Sequence, residues 1–155
     1  MFKHLLASAL LILVTILFYN CSRTPCMNAS LSFGLISFSD QESDTIILRR
    51  YEKGSNFSTL KDSFLLDMGF TRTNDTLDLA YTTSTGLITS QYDYELYFPG
   101  AIKLYRLSAI EEEAGEIRHA FWNNVKVGCV NKITSFTINN LVSYPPRYNY
   151  FYLSK

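Results

Sequence analysis

Apolar and polar residues alternate with a period of two along most of this 155-residue chain. The sequence Thr-Leu-Asp-Leu-Ala-Tyr at 76–81 is the clearest case, and 31–35 and 92–98 follow the same pattern. A strand that buries one face repeats every two residues, whereas a helix repeats every ~3.6 residues. Because no sustained helical period accompanies the alternation, the pattern predicts a chain built almost entirely of β-strands.

The predicted strands lie throughout residues 27–155 and are separated by turn residues. Pro99-Gly100 has the order of a type II turn, and Asn139-Asn140 is also typical of a turn. The glutamate-rich segment 108–115 is expected to be an exposed connection, either with one helical turn or as the polar tip of a hairpin. We expect a single all-β domain, an antiparallel β-sandwich of about eight strands with an immunoglobulin-like or similar layout. The predicted strands are 31–35, 45–51, 76–81, 92–98, 102–107, 125–129, 134–138 and 148–153.

The first 20 residues differ in composition from the rest of the chain. Lys3 supplies a positive charge near the start, and residues 5–18 are apolar except for Ser8 and Thr15. A short cationic start followed by an apolar segment is typical of a secretion signal. The apolar segment has 14 residues, fewer than the roughly 20 that a membrane-spanning helix needs. We therefore predict a cleaved signal helix over 1–20, with an uncleaved membrane anchor as the alternative.

A cysteine, Cys21, follows the apolar segment directly after Tyr19 and Asn20. This arrangement resembles the relaxed lipobox of lipoproteins from Bacteroidota, with Phe18 at the position where most bacterial lipoproteins have leucine. The resemblance implies that Cys21 is acylated with palmitate or a similar fatty acid and becomes the first residue of the mature protein. Residues 21–26 are then a short tether to the membrane. The alternative is a free or disulfide-bonded Cys21 after ordinary signal cleavage.

The residues after this cysteine, Ser-Arg-Thr-Pro at 22–25, include no acid. They lack the aspartate that resembles an inner-membrane retention signal. They also lack the acid-rich stretch that resembles the surface-export signal of Bacteroidota lipoproteins. The resemblance therefore implies a lipid anchor in the outer membrane, with the domain facing the periplasm.

Export leaves two further cysteines, Cys26 and Cys129, in a compartment that oxidises thiols. We predict a disulfide between them that ties the mature N-terminus to a late strand, and two buried thiols are the alternative. The chain has no CxxC pair, and the mature part has a single histidine, His119. Metal sites need several such ligands at close spacing, so no metal and no cofactor are expected.

Charge and motifs argue against two broad classes of function. The 14 basic residues balance the 14 acidic ones, and no Lys/Arg run supplies the positive face that nucleic acids require. No G-x-S-x-G motif is present to hold a nucleophilic serine. His119 lies near Phe121 and Trp122 in the sequence, and we expect it to be a strand residue half-covered by aromatic rings. We therefore predict a protein that is not an enzyme and does not bind nucleic acid.

Two sets of tyrosines are the strongest candidates for a binding surface. Tyr148, Tyr150 and Tyr152 share one face of the last predicted strand. Tyr97 and Tyr105 form a second set, expected on the face opposite the even-numbered apolar residues of the hairpin at 92–107. Tyrosine combines a large ring with a polar hydroxyl and is common where proteins contact partners or sugars. The alternative is that these tyrosines only stabilise the sheets through cross-strand pairs.

These observations lead to two hypotheses about function. The first is a membrane-tethered envelope lipoprotein whose sandwich binds a protein partner through an aromatic edge or face. The second is a glycan-binding module in which the exposed tyrosines stack on sugar rings. Asp44-Thr45 and Asp75-Thr76 also resemble the O-glycosylation acceptors of Bacteroidota, although an Asp-Thr pair is equally typical of a loop-to-strand junction.

Overall fold

The computed structural model describes residues 26–82, 88–115, 118–119, 126–129, 131–145 and 149–155. The predicted signal helix, Cys21 and Tyr148 lie outside the described residues. None of the helical structure in the described part of the chain is long and apolar enough to cross a bilayer.

Strands dominate the described residues, and the predicted all-β sandwich is confirmed. The one helix among them, α1, covers Asp40–Ser43. The strands, numbered in chain order, are β1 Ser32–Ile36, β2 Ile46–Glu52, β3 Leu60–Leu66, β4 Met68–Thr73, β5 Thr76–Thr82, β6 Tyr92–Phe98, β7 Lys103–Glu113, β8 Arg118–His119, β9 Lys126–Gly128, β10 Lys132–Ile138, β11 Leu141–Ser143 and β12 Tyr150–Ser154.

The two main sheets pack face to face. In the described residues the larger sheet has six strands in the order β11-β10-β7-β6-β2-β3, and the smaller has four in the order β12-β1-β5-β4. The strand pairs are antiparallel except for β1 and β12, which run parallel. A separate pair is formed by β8 and β9. The first and last strands of the described chain, β1 and β12, therefore lie side by side in the smaller sheet.

Inward-facing side chains of the central strands fill the space between the two sheets. On β6, Tyr94, Leu96 and Phe98 are fully buried, and Phe33 and Leu35 of β1 are buried against them in the same hydrophobic cluster. Each fully buried large apolar side chain contributes about 1.5–3 kcal/mol to stability. The period-two alternation predicted for both segments is therefore confirmed.

Strand β7 continues to Glu113, so the exposed connection predicted over 108–115 is wrong. Ile110 is buried in this stretch, whereas Glu111 and Glu113 are exposed. The backbone of this stretch forms hydrogen bonds with β10. Ala109, with φ of 49°, lies where the register between β7 and β10 shifts. The glutamates look like a loop in the sequence because two of them occupy the solvent-facing positions of a long strand.

Four elements were not predicted from the alternation: β3, β4, β11 and α1. The strands among them lie at sheet edges and bury little. On β3, for example, Leu66 is buried while Lys61 and Leu65 are exposed. A charged, exposed edge strand carries a weak period-two signal because only a small part of one face is in the core.

The Pro99-Gly100 hairpin between β6 and β7 is confirmed, but its turn type is not the predicted one. Gly100 does not adopt a positive φ, and Ile102 does, with φ of 53°. A Cβ atom on Gly100 would lie 2.9 Å from the carbonyl oxygen of Gln41 and 3.0 Å from Cα of Glu42. Glycine is therefore required here because the turn packs closely against α1.

A disulfide joins Cys26 to Cys129, as predicted, with a Cα–Cα distance of 4.7 Å. Two backbone hydrogen bonds continue this connection. The amide of Met27 donates to the carbonyl of Cys129 at 3.0 Å, and the amide of Asn131 donates to the carbonyl of Met27 at 2.8 Å. The start of the domain is therefore fixed to the segment that leads into β10.

Both Asp-Thr pairs lie at loop-to-strand junctions. Thr45 is exposed and directly precedes β2, and Thr76 is half-buried as the first residue of β5. The hydroxyl of Ser37 donates a hydrogen bond to Asp75 at 2.6 Å. Both positions match the loop-to-strand interpretation of these residue pairs.

Candidate functional site

The outer face of the larger sheet carries a row of four apolar side chains. The strand register places Leu65 of β3 beside Ile47 of β2, Ile47 beside Tyr97 of β6, and Tyr97 beside Leu104 of β7. Leu65 is 67% exposed and Leu104 is 39% exposed, while Ile47 and Tyr97 are half-buried. Neighbouring strands lie about 4.8 Å apart, so this apolar row spans roughly 14 Å.

The apolar row arises because some strands are apolar on both faces. On β2, Ile46 and Leu48 point into the core, which leaves Ile47 between them on the outer face. On β6, the buried residues leave Tyr97 on the outside in the same way. Ile102, which is 83% exposed at the tip of the β6–β7 hairpin, adds apolar surface beside the row. The β2–β3 loop covers the part of this face at Asp93, whereas Leu65 and Leu104 of the apolar row are exposed.

A second row, parallel to the first, is ionic. The register aligns Arg49 of β2, Glu95 of β6 and Arg106 of β7. The Glu95 side chain is only 5% exposed and accepts hydrogen bonds from Arg106 Nε at 2.9 Å and Arg49 Nη1 at 3.3 Å. The hydroxyl of Tyr51 donates a third hydrogen bond to it at 2.7 Å. We call Arg49 and Arg106 the guanidinium pair.

These three hydrogen bonds determine the charge state of Glu95. Burial raises the pKa of the carboxyl, but the hydrogen bonds from Tyr51, Arg106 and Arg49 outweigh burial, and the pKa ends below its ordinary value. Glu95 is therefore a fixed anion at neutral pH. A carboxylate that is saturated with donors in this way is suited to holding cations in place and not to proton transfer.

Aromatic rings hold the guanidinium pair from the side. The guanidinium carbon of Arg106 lies 5.0 Å from the ring centroid of Phe57, and that of Arg49 lies 5.8 Å from the ring of Tyr97. Phe57 belongs to the β2–β3 loop, and this loop is anchored because the amide of Gly54 donates to the buried carboxylate of Asp93 at 2.8 Å. Cation–π contacts of this kind restrict the orientation of arginine side chains.

The predicted binding residue Tyr105 is not on this face. It is 7% exposed, packs edge-on against Phe98 at 5.7 Å, and donates a hydrogen bond to the carbonyl of Ser154 at 2.6 Å. The prediction that Tyr105 shares an outer face with Tyr97 is therefore wrong. The β6–β7 register pairs Tyr105 with the core residue Leu96 and turns Leu104 outward instead.

Tyr150 and Tyr152 share one face of β12, as predicted, and the structure places Phe151 and Leu153 of the opposite face in the core. The hydroxyl of Tyr150 accepts a hydrogen bond from the amide of Leu79 at 2.9 Å. The rings of the two tyrosines meet edge-on at 5.3 Å. Both side chains thus stabilise the smaller sheet.

Gly34 of β1 makes room for these rings. A Cβ atom at this position would lie 2.7 Å from the Tyr150 hydroxyl and 2.7 Å from Cε1 of Tyr152. The Tyr152 hydroxyl in turn donates to Asp78 at 2.8 Å on β5. The tyrosines therefore cross β1 and connect β12 to β5, with the Tyr152 ring still 44% exposed.

Sequence reasoning found Tyr97 but missed the rest of the surface. The available signal was the Ile-Ile-Leu run at 46–48, in which apolar residues occupy both faces of one strand. In the described ranges, no group of three or more His, Cys, Asp or Glu side chains is placed to hold a metal ion. No family model, curated protein or solved structure matches the chain. Any inference about function therefore depends on the surface residues described above.

Proposed function

We propose that this protein is a membrane-tethered envelope lipoprotein without enzymatic activity, whose β-sandwich binds a protein partner through the apolar row. The observation that carries the proposal is the exposure of Leu65 and Leu104 in register with Ile47 and Tyr97 on one sheet face. A contiguous apolar patch with a polar border marks an interaction site more often than isolated exposed leucines do.

The composition of the surface favours a protein as its partner. Protein interfaces are enriched in aromatic residues and arginine at their centres and are depleted in lysine and acids. The apolar row contributes Tyr97, and the guanidinium pair lies directly beside it. A flat face of this kind suits another folded surface or an extended segment better than a small molecule, which prefers a concave pocket.

The tether supports a role close to the membrane. The sequence has five residue steps from Cys21 to Cys26, which span at most about 18 Å when fully extended. Cys26 is fixed to the domain by its disulfide. An acyl chain on Cys21 would therefore keep the domain at the outer-membrane surface on the periplasmic side, where each buried CH₂ contributes about 0.8 kcal/mol to anchoring.

Crosslinking and affinity capture from envelopes test the proposal. We expect the Leu65→Ser, Leu104→Ser double variant to lose a partner that the wild type captures. Leu141→Ser is the matched control, since Leu141 is 72% exposed on the edge strand β11, outside the apolar row. Equal capture by all three proteins would reject the apolar row as the binding surface.

The anchor is tested separately. Cys21→Ser is expected to release the protein from the membrane, and the intact mass of the wild type is expected to exceed that of the mature polypeptide by the mass of the acyl groups. The lipoprotein assignment would be contradicted by a Cys21→Ser protein that remains in the membrane and whose mass differs from that of the wild type only by the substitution itself.

The glycan-binding alternative is favoured by one observation, the 44% exposed ring of Tyr152 on the smaller sheet. Aromatic rings that lie open on a sheet face stack on sugars, and Asp78 beside it offers a polar contact. Loss of retention on immobilised polysaccharide in Tyr152→Ala, with retention unchanged in the Leu65→Ser, Leu104→Ser variant, would support this alternative over protein binding.

A further inference from the structure

We propose that the protein segment bound at the apolar row carries side-chain carboxylates next to its apolar side chains, and that Arg49 and Arg106 bind these carboxylates. This inference rests on the proposed function and specifies the chemistry of the partner. It follows from three properties of the guanidinium pair: its exposed charge, its fixed orientation and its position along the row.

The exposed charge beside the apolar row is positive. The two arginine side chains are 37% and 53% exposed, whereas the Glu95 side chain between them is 5% exposed. In the part of the chain that the structure describes, each guanidinium makes one hydrogen bond, to Glu95. A guanidinium has five N–H donors, so the exposed part of each side chain has further donors to offer a partner. Two cations that share one buried anion therefore present a net positive edge to a partner.

The orientation of both cations is set before any partner binds. Glu95 holds each guanidinium from below, and the rings of Phe57 and Tyr97 restrict Arg106 and Arg49 from the side. An arginine that is already ordered loses less side-chain freedom on binding than one that is free in solvent. Planar guanidinium groups also match the two oxygens of a carboxylate.

The spacing matches a peptide-like partner. The two arginines lie on β2 and β7 with β6 between them, which places their backbones about 10 Å apart. They lie one side-chain repeat along the strands from the apolar row, as the register of Ile47 and Arg49 shows. A segment that crosses the strands can therefore place apolar side chains on the row and acids on the guanidinium pair.

A protein segment fits this surface better than an anionic membrane. Basic surfaces that recognise anionic lipids usually gather about four to eight Lys or Arg residues. Here the positive edge has two arginines, and an anion lies directly beneath them. Interfaces between proteins, in contrast, commonly combine a few arginines with aromatic and aliphatic residues.

Selection from a display library of random peptides tests the inference, with the wild-type protein purified from envelopes in detergent as the bait. We expect enriched peptides to combine apolar residues with an excess of Asp and Glu, and their binding to weaken as salt is raised. Binding of an enriched peptide should fall about tenfold in Arg106→Gln, equivalent to one lost charged contact, and should largely recover in Arg106→Lys. Lys132→Gln is the matched control, because Lys132 is 71% exposed on β10 and pairs only loosely with Glu113 at 3.8 Å.

The outcomes separate the inference from the proposed function. Enriched peptides without an acidic excess, or binding that is unchanged in both Arg106→Gln and Arg49→Gln, would overturn the inference. If the enriched peptides in either case no longer bound the Leu65→Ser, Leu104→Ser variant, the proposed function would stand without the inference. Peptide binding that survives this double variant would instead reject both the inference and the proposed function.

Two further results would replace the peptide-like partner by another occupant. The first is Arg106-dependent binding of the Cys21→Ser protein to vesicles of phosphatidylglycerol and phosphatidylethanolamine. The second is concentration-dependent dimerisation of the Cys21→Ser protein that Leu65→Ser abolishes. Either result, without enrichment of acidic peptides, would contradict the inference.

Discussion

Replacement of Glu95 by glutamine removes the charge that holds the guanidinium pair. In the wild type the carboxylate accepts hydrogen bonds from Tyr51, Arg106 and Arg49 at 2.7, 2.9 and 3.3 Å. A hydrogen bond to a charged group contributes about 1.5–3 kcal/mol, but two of the donors belong to arginines that are more than a third exposed and are screened by solvent. The glutamine side chain keeps one of the two oxygen acceptors of glutamate, so only part of this stabilisation is lost. We expect Glu95→Gln to lower the free energy of unfolding by about 2–3 kcal/mol.

The effect of this substitution should depend on pH. The pKa of Glu95 is lower in the folded protein than its ordinary value, because the three hydrogen bonds outweigh burial. A lowered pKa gives stability that is fully present above the unfolded-state pKa of about 4.3 and is lost as the pH falls through the folded-state value. The difference between wild type and Glu95→Gln should therefore be constant near neutrality and shrink below about pH 4. Lys155 and Ser39 hold the pKa of Glu42 at about 2, and its titration is common to both proteins and cancels.

Urea unfolding of both proteins between acidic and neutral pH, followed by circular dichroism, measures this difference. Glu113→Gln is the control, because Glu113 is a 58% exposed member of a 3.8 Å ion pair and should contribute less than about 0.5 kcal/mol. A Glu95→Gln cost below about 0.5 kcal/mol at neutral pH, or a cost that does not change with pH, would refute the account of the ionic row.

Three further predictions concern the sandwich itself. Gly34→Ala should destabilise the protein by about 1–3 kcal/mol in urea unfolding, because the new methyl group overlaps the ring of Tyr152; the gain of up to ~1 kcal/mol typical of Gly→Ala in an open strand would contradict this packing. Combined Cys26→Ser and Cys129→Ser should lower stability by up to about 4.7 kcal/mol, the chain-entropy value for a separation of 103 residues, and a thermal unfolding midpoint unchanged in the variant would argue against the disulfide. Tyr105→Phe should cost about 1 kcal/mol through its lost buried hydrogen bond and leave partner capture unchanged; loss of capture in a folded Tyr105→Phe protein would return this residue to the binding surface.

The sequence predicted several structural features because they depend on local rules. Alternation along a segment is a property of that segment alone, and it identified the strands that bury one complete face, such as β6. The disulfide followed from a count, since Cys26 and Cys129 are the two cysteines left when Cys21 is assigned to the predicted lipid anchor. The turn at Asn139-Asn140 is also local, because asparagine tolerates the positive φ values of 48° and 68° that the structure has there.

The apolar row and the guanidinium pair followed no such local rule. Tyr97 was identified, but Leu65 comes from a charged edge strand and the two arginines come from β2 and β7, far apart in the sequence. The ionic row depends on which residues face each other across three strands. Pairing at that distance in sequence is set by the whole sheet, and no single segment contains it.

Sequence alone thus determined the class of fold, the disulfide pair and the positions of most central strands. The tertiary structure decided which of two apolar faces became the core. On β2 it buried Ile46 and Leu48 and left Ile47 outside, and on β7 it buried Tyr105 and exposed Leu104. Both choices were open in the sequence because each strand is apolar on both sides. A shift of one residue in register exchanges the two faces of a strand, so only the assembled sheets could select which face stays exposed.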